Sequence, residues 1–454
     1  MKQHAQRSKR PPSRTLAPRI LAALTAGVVT LGVLPCAYAA NNFIVTSSVT
    51  EDTEVQYGVV GNIDGAPATI TVGREGYGGT PVIYTKDGYG KAVEWRNAFG
   101  TFGESDTVNA AFDVRGGRAI LRSGSLMGFF GAFGGVLNGG TAHVEGNSAE
   151  VSGGTVSGNG AGSFFVERGI YGGHAHAQIL HGTQIRAEAV RNTVTMTGGA
   201  IDSYVAGGSA KSDNDIAANT TPSEALAEEN TVTITGGKSV GDSYIEGGYA
   251  DARSHLGSGI SIAKALKNRV RMNTNMRTEK ITGGYTFTET RGGIRLYSNE
   301  NQLHLRTNAN DVAGGRADGK QFDRTGIPAA LSTVEANANK VWVTELPCNV
   351  VRGGYARLTA GKTKELRGAA NENELSIAGG TFAADIAGGR SQAINTRTGA
   401  GSVARTEANK NKVWSKADNF KGELLGGSAK VEATAGRAEA AAHENELYVK
   451  GGTY

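Results

Sequence analysis

The chain has only two cysteines in 454 residues, Cys36 and Cys348. Cys36 lies in an N-terminal leader, so Cys348 stands alone in the remainder. That excludes an intramolecular disulfide and a cysteine-rich metal site. Apolar residues make up 39%, below the usual share, so the chain lacks the material for a large spherical core. It also lacks an apolar run long enough for a membrane-spanning helix, since Ile20 to Leu34 falls short of that length. An excess of either charge is missing once the leader is set aside. The whole chain has 47 Lys+Arg against 42 Asp+Glu, and the leader holds six of the bases and no acid, which leaves 41 against 42. Net charge therefore gives no reason to expect a nucleic-acid partner. No adjacent Asp pair, no acid recurring in register and no Gly-Gly-x-Gly-x-Asp calcium repeat is found, so paired-carboxylate catalysis and a calcium roll have no sequence support.

The leader itself is informative. Lys2, Arg7, Lys9, Arg10, Arg14 and Arg19 form a basic segment, Ile20 to Leu34 an apolar one, and Ala37-Tyr38-Ala39 the small-x-small spacing of a signal-peptidase site. Residues 1–40 are expected to be a signal peptide cleaved near Ala39. Pro35 precedes Cys36 where a lipidation site needs a small residue, so no lipid anchor is expected.

Glycine is abundant, at 67 residues or about twice the usual share. Many glycines follow a repeat, Ala-x-x-Asn-x-aliphatic-x-aliphatic with Ser298 in place of one Ala, whose asparagines are Asn192, Asn230, Asn268, Asn301, Asn339, Asn373, Asn411 and Asn445. The steps between them are 38, 38, 33, 38, 34, 38 and 34 residues. A period of this length indicates stacked units that share one core. Two residues after each Asn stands Val194, Val232, Val270, Leu303, Val341, Leu375, Val413 or Leu447. Four after it stands Met196, Ile234, Met272, Leu305, Val343, Ile377, Ser415 or Val449, apolar in every copy but one. Polar residues alternate with them, which is the pattern of a half-buried strand.

A first Gly-Gly follows the strand after Asn192, Asn230, Asn373 and Asn445 and is replaced in the other copies. A second follows an aliphatic residue (Val205, Ile245, Ile281, Val312, Val351, Ile386, Leu424) and is read as the more constrained turn of the coil. The Asn column is expected to form an amide ladder along the stack. The inter-repeat stretch, such as Gly399 to Glu407, fits either a third strand or an outer loop, and Ala435 to Glu446 is read as a loop. Asn147 starts a degenerate copy. Residues 41–146 are less regular and are expected to form an N-terminal β cap, with 147–454 the solenoid, truncated in its last repeat. A chain ending at Gly451-Gly452-Thr453-Tyr454 would present an open strand edge. The rival fold, a propeller of kelch-type blades, needs four strands in about 50 residues, whereas the period here is about 36.

The leader, the Asn-x-Val-x-Ile-x-Gly-Gly runs and Tyr244-Ile-Glu-Gly-Gly-Tyr-Ala250 together resemble the passenger regions of autotransporters, the type V secreted proteins. The likeness covers Asn147 to Tyr454 and the leader. It implies an all-β right-handed parallel β-helix or β-solenoid, displayed at the cell surface or released by a Gram-negative bacterium after periplasmic transit. An adhesive or structural role is implied, with a host protein or glycan as ligand. No barrel-like series of roughly ten-residue alternating strands follows the repeats, so an outer-membrane translocator would be encoded beyond or apart from this chain.

No catalytic, cofactor-binding or metal-binding residue is assigned. Asp202, Asp242 and Asp385 lie between the Gly-Gly pairs at unequal offsets and read as turn formers. His174, His176 and His181 lack a fourth ligand, so they read as strand residues and not as a zinc site. Cys348 reads as a thiol in a strand or turn. The expected function is a non-catalytic adhesin-like or spacer solenoid, and the alternative is a carbohydrate-active β-helix enzyme.

Overall fold

The computed structural model describes residues 41–45, 49–51, 58–60, 67–72, 83–86, 92–94, 97–157, 168–216, 220–256, 258–322, 331–344, 348–361, 363–382, 385–396 and 402–450. The leader with its cleavage site and Cys36, and the final Gly451-Gly452-Thr453-Tyr454, lie outside the described residues. Among the described residues every secondary element is a strand.

One coil shows the plan. After Asn230 come a short strand, Thr231–Ile234, a two-residue strand, Lys238–Ser239, a long strand, Tyr244–Ser254, and a return strand, Ser261–Leu266. Each pairs in parallel with its counterpart one coil away. Val194, Val232, Val270, Leu303, Val341, Leu375, Val413 and Leu447 are direct register partners in that order. The aliphatic residues ahead of the second Gly-Gly do the same from Val205 to Leu424. The return strands form a ten-stranded sheet of their own. This is a parallel β-solenoid, whereas propeller blades are antiparallel sheets. Where the first Gly-Gly is replaced, in the coils at Asn268 and Asn301, short and long strands fuse into Arg269–Thr290 and Gln302–Gln321.

The inter-repeat stretch is the return strand, Val403–Glu407 in the copy that includes Gly399 to Glu407. Ala435 to Glu446 is likewise no loop, because Arg437–Ala441 pairs with Val403–Glu407. Parallel pairing also extends into the N-terminal part, where Asn97–Ser105 pairs with Gly128–Val136. Ile83–Lys86 and Ala92–Glu94 form the one antiparallel strand pair among the described residues.

The second Gly-Gly corrects the sequence reading. It is the middle of the long strand and not a turn. Val205 points into one core cluster and Ala210 into another, while Gly207 abuts the backbone of Thr231 and Gly208 the amide of Asn230. Two successive residues thus face inward, the strand bends there, and the coil is pinched at a waist. One core lobe is lined by Val, Ile, Leu and Met columns, and the other is dominated by alanine.

The Asn ladder fills the inner side of that waist. From Asn147 to Asn411, each asparagine donates both its backbone N–H and its Nδ2 to Oδ1 of the next, at 2.9–3.1 Å. Gly117 N–H donates to Asn147 Oδ1 and extends the ladder one coil further. An outer ladder runs the other way, with the N–H of Asn337, Asn371, Asn409 and His443 donating to Oδ1 of Asn299, Asn337, Asn371 and Asn409 at 2.7–2.8 Å. The residue before each inner asparagine from Arg191 to Glu444 is left-handed, with φ of 53–59°.

Candidate functional site: two outward faces

The long strands carry an ionic network on their outward side. Residues flanking the bend change type from coil to coil, and they pair both along a strand and across the parallel register. Asp311 pairs with Arg316 and with Arg352, each at 2.8 Å, and Arg316 also holds Asp318 at 2.7 Å. Arg253 holds the fully buried Asp251 at 2.6 Å. Lys280 lies 3.6 Å from the buried Glu246 and 3.5 Å from the centre of the Tyr285 ring. Burial pushes the Lys280 ammonium below its ordinary value, against the pull of Glu246. Burial pushes the Asp251 carboxyl up, against Arg253. Toward the N-terminus the same side is aromatic, with Phe99, Phe102, Phe130, Phe133 and Tyr171 packed in one cluster.

His174 and His176 sit on this side, both buried, with ring centres 6.4 Å apart. His174 stacks on Phe133, and His176 Nε2 donates to Asp213 at 3.2 Å. His181 lies past the strand end and is exposed, so the three histidines do not converge. Among the described residues no group of three or more His, Cys, Asp or Glu side chains is placed to hold a metal. The three aspartates do not meet either. Asp202 closes the strand Ala200–Asp202, Asp242 is exposed past Ser239, and Asp385 precedes a long strand and pairs with Arg390 at 3.4 Å. Cys348 opens a strand within the aliphatic core, and burial pushes its thiol up to about 11, where it stays protonated.

Asp213 yields a pH expectation. Burial pushes its carboxyl up, but the His176 hydrogen bond and the charges of Lys211, His176 and Arg253 outweigh that and hold it at about 2. A depressed carboxylate stabilises the fold fully above its unfolded value near 4 and loses that contribution as pH falls through about 2, here roughly 2 kcal/mol. Asp213→Asn should therefore lower stability at pH 6 and flatten its loss between pH 4 and 2. Thermal unfolding across that range checks this, and equal slopes for variant and parent would refute it.

The short strands present a different face. Two adjoining grooves cross it, of about 810 and 480 Å³. The larger follows the left-handed corner, where Arg191, Lys267, Arg269 and Lys340 alternate with Glu229 and Glu300. The smaller is lined by Arg271, His304, Arg306 and Trp342, with threonines at its ends. His304 stacks on Trp342 at 4.2 Å and 12°. Burial, then the charges of Arg271 and Arg269, hold the His304 imidazole below its ordinary value. Arg269 and Arg271 are exposed, and neither is in an ion pair among the described residues. Asp251, Asp311 and Asp318 on the long face each hold a cation at 2.6–2.8 Å, whereas no described acid lies within ion-pair distance of these two guanidiniums.

Sequence reading gives a polar Thr/Arg/Lys/aromatic strand face, with Trp342 and Trp414 in the repeats, as a long binding surface, but does not pick out the His304–Trp342 stack or the two arginines. The signal is the outward column three residues after each Asn, which runs Thr195, Thr233, Arg271, His304, Trp342, Ser376, Trp414 and Tyr448. Comparison with known protein families, curated proteins and solved structures gives no match for this chain.

Proposed function

We propose that the chain is an exported, surface-displayed or secreted β-solenoid that works by binding and spacing and not by catalysis, in the manner of an adhesin-like passenger. A translocator encoded beyond or apart from this chain would carry it across the outer membrane. The observation that supports this reading is the contrast between the faces. On the long face Asp251, Asp311, Asp318 and Glu246 each hold a cation, along a strand or across coils, which is a structural arrangement. The short face repeats one outward column over many coils and carries two exposed arginines that are in no ion pair among the described residues, which suits an extended surface ligand.

One observation favours the alternative, a carbohydrate-active β-helix enzyme: Lys280 and Tyr285, whose proton affinities are both perturbed by burial, are packed together with Glu246. The purified protein is expected to bind host-surface glycans or proteins on an array and to release no reducing ends or unsaturated uronates from polysaccharides. Turnover that Lys280→Met abolishes would replace the binding reading with the enzymatic one.

A further inference from the structure

We propose that the outward column of the short strands is a binding track for an acidic polysaccharide, with Trp342 and Trp414 clamping one pyranose ring over Ser376 and Arg271 taking a sulfate or carboxylate further along. This rests on the reading of the chain as a binding solenoid and names its ligand class.

Register supplies the geometry. His304, Trp342, Ser376, Trp414 and Tyr448 are consecutive partners in one column. On either side of Ser376 the aromatics stack in pairs along that column, His304 on Trp342 at 12° and Trp414 on Tyr448 at 7°. His304 and Trp342 lie face to face at 4.2 Å, and Trp414 and Tyr448 are parallel and offset at 6.0 Å, so both pairs turn ring faces toward the neighbouring coil. Ser376 interrupts the aromatic ladder for one coil and leaves a slot between Trp342 and Trp414. Two strand spacings make the slot about 9.6 Å from ring to ring. A guest midway lies about 4.8 Å from each, within the range of ring-on-ring contact. A flat nucleobase stacks closer than that and leaves a gap on one side. A chair pyranose is thicker, carries C–H bonds on both faces and hydroxyls at its rim, and fills the slot with Ser376 as its floor. Trp414 is 38% exposed, so the slot opens to solvent.

Charge selects the acidic class. Arg271 stands three coils from Ser376 in the same column, about 14 Å away, within the span of an oligosaccharide that leaves the slot on its solvent side and turns along the stack over His304 and Trp342. Arg269 lies beside it, and the charges of the pair add to burial in lowering the proton affinity of His304. A neutral glycan would leave both guanidiniums without a partner.

The test is calorimetric titration of the full mature protein with heparin oligosaccharides, polygalacturonate, neutral dextran and oligo(dT). Expected is saturable binding of one or both acidic glycans, weakened by salt, with dextran and oligo(dT) weaker. Trp414→Ala and Ser376→Trp, which empty and fill the slot at outward positions, should each weaken it about tenfold. Arg271→Ala should lower the salt dependence. Folding of each variant is checked by circular dichroism, and Trp414→Ala decides if the bulkier Ser376→Trp fails to fold. Binding that ignores all three substitutions, tighter binding of dextran or oligo(dT), or no binding of any acidic glycan overturns the track. Glycan binding elsewhere on the chain leaves the binding reading intact, whereas glycan turnover defeats that reading itself.

Discussion

Replacing Asn339 by leucine is expected to cost roughly 3–5 kcal/mol and to loosen the coils on either side of it. Oδ1 of Asn339 accepts from Asn301 twice, from the backbone N–H at 3.0 Å and from Nδ2 at 3.1 Å. Both donors lie in a corner with no solvent access, since Asn301 and Asn339 are each 0% exposed. Leucine removes the shared acceptor and leaves two buried donors unsatisfied, at about 1–3 kcal/mol each. It also has to fit its branched end against Gly314 and Gly315, whose space the amide already occupies. Asn339→Asp should be no better. It keeps the acceptor but sets a carboxylate oxygen where Nδ2 now donates to Asn373 Oδ1 at 3.0 Å, opposing two acceptors in a buried site. Asn371→Ala is the contrast. Asn371 belongs to the outer ladder and is half-buried, so water can replace the bond its Oδ1 accepts from Asn409, and about 1 kcal/mol is expected. Stability of stacked repeats is a sum of nearest-neighbour terms, so hydrogen exchange should show the Asn339→Leu loss concentrated between about residues 301 and 377. Protection unchanged there, or a urea midpoint shift equal to that of Asn371→Ala, would remove the ladder from the account of stability.

The parts of this architecture differ in how plainly the chain displays them, and the differences have physical causes. The short strands are legible because β-branched and polar residues alternate with period two, and the inner ladder is legible because one residue type recurs at one position. The return strand is obscured by its own composition. Its inward positions are alanines, such as Ala225, Ala227, Ala263 and Ala265, which favour helices in isolation and carry little strand signal. Only the register of Ala-x-Ala against the following Asn marks it. The outer ladder is written as Asn-x-Asn in four successive copies, yet its hydrogen bonds run from backbone to side chain across coils and need the corner geometry to be seen. The ionic network of the long face has no period at all, because its charges change sign between coils, and pairs such as Asp311 with Arg352 and Glu246 with Lys280 appear only once the coils are in register. The same holds for the slot over Ser376, which exists because a column is interrupted.

Gly354→Val is expected to prevent correct stacking altogether, whereas Gly146→Ala should cost only about 1 kcal/mol, although both positions are glycine beside the same ladder. A Cβ at Gly354 would overlap the carbonyl oxygen of Ala336 and lie 2.6 Å from Nδ2 and 2.7 Å from Oδ1 of Asn373. The first obstacle is backbone and the second is fixed by hydrogen bonds to both neighbouring coils, so neither can yield. Gly353 is confined likewise, by the carbonyl of Gly388 on the next coil. Inserting a side chain there pushes the long strand off the Asn corner, opens the waist and separates the two core lobes that the waist divides. Gly146 differs because nothing lies within 4 Å of its missing Cβ, and its φ of +66° is the only obstacle. The chain itself shows that this obstacle is tolerable, since Arg, Glu, Lys and Ala occupy the equivalent corner in the eight later coils with φ of 53–59°. The comparison separates two uses of glycine, freedom of φ at the corner and absence of volume at the waist. Purified Gly146→Ala should keep a cooperative unfolding transition close to that of the parent protein, while Gly354→Val should be recovered aggregated or with a lost β-sheet circular dichroism signal. A folded Gly354→Val protein with parental stability would mean that the waist is not closed by contact between the long strand and the asparagine corner.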